Sequence, residues 1–189
     1  QELGLKRSFT RAACWWGARW TTTGAQTQLE FSAAPRMTTI CGPADLTFWR
    51  QSGLSIEALP PHDHLTLEWR KALTNLTLNG LMTLHRAPNG ALLKNSDWIA
   101  QARVLHLEAR AVASALAVHL DPEASTWKEV LDTAQNTSEN RNSLLQDLEA
   151  GRAWELPWLN EWLLETARGL QISLPQNTAL VQSLKLNLK

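Results

Sequence analysis

An α+β chain, mainly α, is what the sequence predicts: a short β-rich piece over residues 1–62 and an all-helical domain over 63–189. Three observations carry this expectation. Threonine- and aromatic-rich runs in the first part fit half-buried strands. From Asp63 onward apolar residues recur at helical spacing. Helix-start and helix-stop residues punctuate that second part every few turns.

The elements follow in order. ARWTTTGAQTQLEF (18–31) reads as β-structure and MTTICG (37–42) as a second short strand, so the pair is expected to form a hairpin. ADLTFWRQSG (44–53) is expected as a short helix stopped at Gly53, and SIEALP (55–60) as a further strand ended by Pro60 and Pro61. A β piece this small has little core of its own and is expected to finish a larger sheet. HLTLEWRKALTNLTLNGLMTLHR (64–86) makes a long helix with Asp63 as its cap, followed by the turn RAPNG. SDWIAQARVLHLEARAVASALAVHL (96–120) makes a second, capped by Ser96 or Asp97. Pro122 and Glu123 open a third, and ENRNSLLQDLEAG (139–151) is a fourth, stopped at Gly151. LPWLNEWLLETARGL (156–170) is a fifth, with Pro157 in its first turn and Gly169 near its end. NTALVQSLKLNLK closes the chain with Asn177 as cap.

Bulk properties narrow the function classes. Formal net charge is zero and no basic run stands out, so neither nucleic acid nor an anionic membrane is an expected partner. No apolar run approaches the roughly 18 residues of a membrane span, and the N-terminus lacks a signal-peptide layout. Cys14 and Cys41 make neither a metal spacing nor a disulfide framework, which fits a reducing cytoplasm. His62-Asp63-His64 supplies too few ligands for a metal centre, and none is expected. The ten tryptophans, set against no tyrosine, read as core and interface filler.

One stretch departs from an ordinary amphipathic pattern. In WRKALTNLTLNG, Lys71, Asn75 and Asn79 recur every four residues, spanning an arc of roughly 80° on one helix face. Two readings are open. Such a line is commonly the solvated face of a helix. It also suits a small polar ligand, with a lysine to give a proton and amides that both donate and accept; asparagine is a weak helix former and needs a reason to sit there twice. The other polar positions say little singly. Asn89 lies in an Asn-Gly turn, Asn140 and Ser143 are expected to share a helix face, and Glu155 precedes a helix start.

Taken together these positions are similar to a known family. EWRKALTNLTLNGLMTLHRAPNG, NRNSLLQDLEAGRAWELPWLN and GLQISLPQNTALVQSLK resemble the C-terminal half of ketopantoate reductases (2-dehydropantoate 2-reductases). That pattern has a lysine, asparagines four and eight residues on, an Asn-Gly ten residues later, an Asn-x-x-Ser before Leu-Gln-Asp, and a glutamate twelve residues past the serine. Lys71, Asn75, Asn79, Asn89, Asn140, Ser143 and Glu155 occupy those places. TTTGAQ looks like a strand late in the family's nucleotide-binding domain.

The resemblance implies a helical domain of the 6-phosphogluconate dehydrogenase C-terminal type, serving substrate binding and dimerisation, preceded by the tail of a Rossmann domain. It implies reduction of the small-molecule 2-keto acid ketopantoate to pantoate with NADPH, toward pantothenate and coenzyme A. Lys71 would be the catalytic acid, Asn75, Asn79, Asn89, Asn140 and Ser143 would hold the substrate, and Glu155 would contact the cofactor. It also implies a homodimer through the helical domain. None of the nine glycines makes the G-x-G-x-x-G turn, so most of the cofactor domain is expected to precede Gln1, and this chain alone is expected to be inactive. The reading from another class is a non-catalytic helical dimerisation or interaction module.

Overall fold

Strand pairing in the first sixty residues departs from the expected hairpin. β2 (Ala18–Thr23) and β3 (Gln26–Phe31) are separate strands that pair antiparallel with each other, from Ala18↔Phe31 to Thr23↔Gln26. β4 (Met37–Cys41) lies in another sheet, of order β1-β4-β5. There it pairs antiparallel with β1 (Arg11–Cys14) and parallel with β5 (Ser55–Leu59). Thr39 and Glu57 are register partners in the parallel pair, and Thr39 Oγ1 donates to Glu57 Oε2 at 3.0 Å. Alternation along a strand reveals its period but not its partner, so the residues alone point to a different pairing.

The computed structural model describes residues 11–14, 18–23, 26–31, 37–41, 51, 55–59 and 64–187. The helix expected over 44–53 lies outside these apart from Gln51, which is helical; Asp63, the expected cap, lies outside them too. The chain divides into two compact units, Gln1–Glu68 and Trp69–Lys189.

The second unit is all-helical among its described residues. It holds α1 (His64–Leu84, whose first turn belongs to the first unit), a 3-10 helix (Asn89–Lys94), α2 (Ser96–Ala115), α3 (Glu123–Asn136) and α4 (Ser143–Glu149). A short 3-10 turn (Leu156–Trp158), α5 (Asn160–Gly169) and α6 (Pro175–Asn187) follow. Two apolar clusters form the core. One gathers Leu78, Leu81, Met82, Leu105, Val130, Leu144, Leu156 and Leu184; the other gathers Trp69, Leu73, Leu76, Val112, Leu163 and Leu174. α1 contributes to both, so its buried surface extends well around the helix. Gly80 lets α6 approach it: a Cβ there would sit 2.9 Å from Leu180 Cδ2.

Several helix ends differ from expectation. α2 is capped by Asn95, whose Oδ1 accepts from the amides of Asp97 and Trp98, not by Ser96 or Asp97. α2 stops at Ala115, not Leu120. Its end is a Schellman motif, with Ala117 at φ 56°, Ala117 N bonded to Ser114 O and Val118 N to Ala113 O. Asn177 lies inside the first turn of α6 and does not cap it. Glu108 of α2 performs that role across the fold, its carboxylate accepting the Gln176 and Asn177 amides at 2.8 Å each. An anion at a helix N-terminus also meets the positive end of the helix dipole. Asn160 Nδ2 completes this junction, donating to Leu76 O at 3.0 Å and to Asn177 Oδ1 at 2.9 Å.

Candidate functional site

α1 positions the polar stripe. Leucines 73, 76, 78 and 81 are 1–2% exposed and hold the helix in the core. Lys71 and Asn75 are half-buried and Asn79 is 6% exposed. The stripe is therefore not a solvated face, and two of the three groups keep partial access to solvent.

The remaining positions come from segments that pack near the C-terminal end of α1. Asn89 opens the 3-10 helix, so RAPNG is more than a turn. The Asn89 amide donates to Asn140 O at 3.0 Å, and Gly90 N donates to Ser138 O at 3.0 Å. The Asn89 side chain is 5% exposed, with Nδ2 donating to Thr137 Oγ1 at 2.9 Å and Oδ1 buried without a hydrogen-bond partner. Asn140 does not share a helix face with Ser143. It precedes α4, which starts at Ser143. Asn142 caps that helix through Oδ1, which accepts from Leu145 N at 3.0 Å. With its own amide side chain satisfying the helix start, the ENRN segment has no need to be helical.

Ser143 and Glu155 meet. Ser143 is exposed, Glu155 half-buried, and Ser143 Oγ donates to Glu155 Oε2 at 3.4 Å. Glu155 immediately precedes the 3-10 turn at Leu156 but makes no side-chain cap to it. Its place just ahead of a helix start is as expected, and its carboxylate accepts from Ser143 rather than from the amides of that turn. Arg141 braces the other end of α4 with an ion pair to Glu149.

Three links involve the expected site residues: the Asn89 amide to the Asn140 carbonyl, the Ser143 hydroxyl to the Glu155 carboxylate, and the Asn79 backbone carbonyl to the start of α4. The third depends on Asn142, which sequence reasoning passes over. Its Nδ2 donates to Asn79 O at 3.3 Å. The available signal is an asparagine directly before an apolar-periodic run, a helix-start pattern. Lys71 and Asn75 stand two turns and one turn before Asn79 on the same face of α1.

As chemistry, the set offers one ammonium, amides that donate and accept, a hydroxyl and a carboxylate. Among the described residues, no three His, Cys, Asp or Glu side chains gather as a metal centre needs, and no helix is long and apolar enough to cross a membrane.

Comparison with known proteins places the chain in a family. A 2-dehydropantoate 2-reductase of Shigella flexneri is 33% identical over 125 residues, which are 66% of this chain and 40% of that protein. The chain thus spans about two fifths of the curated relative's length. Among solved structures, a PanE/ApbA family ketopantoate reductase from Ralstonia eutropha JMP134 superposes with a TM-score of 0.78 at 21% identity, over 94% of this chain and 58% of that one. D-mandelate dehydrogenase in complex with NADH has the same fold, at a TM-score of 0.74 and 18% identity, over 95% of this chain and 68% of that one. Residues 63–187 match the family described as ketopantoate reductase PanE/ApbA C terminal, and the chain belongs to that family.

Proposed function

We propose that this chain is the substrate-binding part of an NADPH-dependent 2-keto-acid reductase, which as a whole protein takes ketopantoate to pantoate on the way to pantothenate and coenzyme A. The observation that carries the reading is that Ser143 and Glu155, twelve residues apart, are joined, while Asn142 ties the same helix start to Asn79. In this reading residues 1–62 are the tail of the nucleotide-binding domain and 63–189 the substrate-binding and dimerisation domain. The exposed outer face of α2, with Val104 and Leu107, supports a homodimer. The cysteine usage supports a cytoplasmic location.

Roles follow from the chemistry of each group. Lys71 donates a proton to the carbonyl oxygen, where a ketone becoming an alcohol gathers negative charge. Asn75, Asn79 and Ser143 hold the carboxylate and hydroxyl groups of the keto acid. Asn89 and Asn140 complete that set. Glu155 fits a contact to the cofactor, because a carboxylate keeps acceptor positions beyond the one Ser143 uses. NADPH, when bound, supplies the hydride. A helix fixes Lys71 and the two amides relative to one another, so the proton donor and the substrate clamp keep one geometry.

The test is turnover of a panel of 2-keto acids by the full-length gene product with NADPH. Ketopantoate should have the highest kcat/KM, and Lys71→Ala should lower kcat by at least about a hundredfold with the fold intact. Turnover unchanged in that variant would remove Lys71 as the acid. A preference for an aryl keto acid would move the substrate assignment toward that of the mandelate enzyme.

A further inference from the structure

The buried side chain of Asn142 carries an inference that rests on the function proposed above. We propose that Asn142 is a positioning residue that sets the distance between the Lys71–Asn79 face of α1 and Ser143. The residue is 4% exposed and spends its amide on both elements at once. Oδ1 accepts from Leu145 N at 3.0 Å, which fixes the first turn of α4, and from Thr83 Oγ1 at 3.2 Å, which is on α1. Nδ2 donates to Asn79 O at 3.3 Å, one turn earlier on α1. The amide therefore spans one turn of α1 while capping α4, and Ser143 is the very next residue in the chain.

Asparagine is the side chain this geometry requires. A serine could cap α4 but is too short to donate as well to a carbonyl on a neighbouring helix. An aspartate could cap it, yet would set a buried charge against the Asn79 carbonyl oxygen. Asn142 and Asn79 are 63 residues apart in sequence, so their spacing is set across the fold, by this bond together with the Thr83 bond and the apolar cluster that Leu144 shares with Leu78 and Leu81. A ligand held by both Asn79 and Ser143 feels any slip between α1 and α4, and displacements near 1 Å cost up to about a hundredfold in rate.

The experiment compares Asn142→Ser and Asn142→Asp, both of which keep a cap, with Asn95→Ala, which removes the α2 cap away from these residues. All are made in the full-length protein and measured for Tm and for KM and kcat on ketopantoate and NADPH. The expected result is that both Asn142 variants raise the keto-acid KM by about tenfold while leaving the NADPH KM within about twofold. Asn95→Ala should lower Tm and leave both KM values unchanged. If Asn142→Ser and Asn142→Asp lower Tm but keep the keto-acid KM of the parent, Asn142 is a structural cap only and the proposal is overturned. If Lys71→Ala and Ser143→Ala also leave turnover unchanged, the reading of the site has failed first, and the positioning role falls with it.

Discussion

Ser143 Oγ donates to Glu155 Oε2 at 3.4 Å, joining the first residue of α4 to the residue that leads into the next 3-10 turn. The distance is at the long end for an O–H···O bond, and Ser143 is exposed. The contact therefore contributes little to stability, well under about 1 kcal/mol by the usual scale. Ser143→Ala should leave Tm within about 1–2 °C of the parent while raising the keto-acid KM, whereas Glu155→Gln should act on the KM for NADPH. Thermal melts beside steady-state kinetics separate the two; a large loss of Tm in Ser143→Ala would make the pair structural.

Gly90 is where the 3-10 helix meets the 137–140 turn. A Cβ added there would lie 2.6 Å from Ser138 Cβ, 2.7 Å from its Cα and 2.9 Å from its O. Two of those atoms are backbone, so a side-chain rotation cannot relieve the clash. Gly90→Ala should cost about 1–3 kcal/mol of unfolding free energy, read by urea denaturation. A loss below about 0.5 kcal/mol, on the same scale, would show that the turn moves freely.

Helices α1, α2 and α5 end with a non-glycine residue in the left-handed region: Arg86, Ala117 and Gln171, at φ 50°, 56° and 57°. In α4 that place is taken by Gly151, at φ 64°. An L side chain is strained there and glycine is not. Ala117 is exposed, so nothing but backbone conformation is at stake. Ala117→Gly should stabilise the protein by about 0.5–1 kcal/mol, and Gly151→Ala should destabilise it by a similar amount. Matched urea melts of the two variants test both signs.

His106 on α2 makes stability fall in acid. It is fully buried, and burial first, then the positive charges of Arg110 and Arg103, push its pKa down to about 4. Thr126 Oγ1 donates to Glu123 O, so it accepts from His106 Nε2 at 3.1 Å, which puts the proton of the neutral ring on Nε2. Because the folded pKa lies below the unfolded value of 6.5, the unfolded chain takes up a proton first as pH drops. The stability present at neutral pH is lost progressively between pH 6.5 and about 4, on the order of 3 kcal/mol when complete. His106→Gln should remove that part of the pH slope; an unchanged slope in the variant would assign the acid sensitivity to carboxylates.

How much of this is legible from residues alone divides along physical lines. The long helices are, because burial imposes a 3.6-residue period that survives in the order of leucines. Gly151 as a stop is legible for the same local reason. The end of α5 is legible too, at Gly169, but the end of α2 is not, since Ala117 adopts a backbone that its residue type does not announce. Glu108 as the cap of α6 could not be read at all, because it acts on a helix start 68 residues away. The strand partners of β4 are equally hidden, as period does not encode pairing.

By itself the sequence determined the family, the helical period, and the kinds and spacing of the seven polar residues from Lys71 to Glu155. Spacing along one helix is a local property, set by the rise and turn of the backbone. Only the tertiary structure decided that the stripe on α1 is partly buried, that Asn140 lies ahead of α4, and that Asn142 ties Asn79 to the start of α4 beside Ser143. Those relations depend on which helices pack together and which buried amide finds a partner, and a hydrogen bond across the fold leaves no period in the chain that makes it.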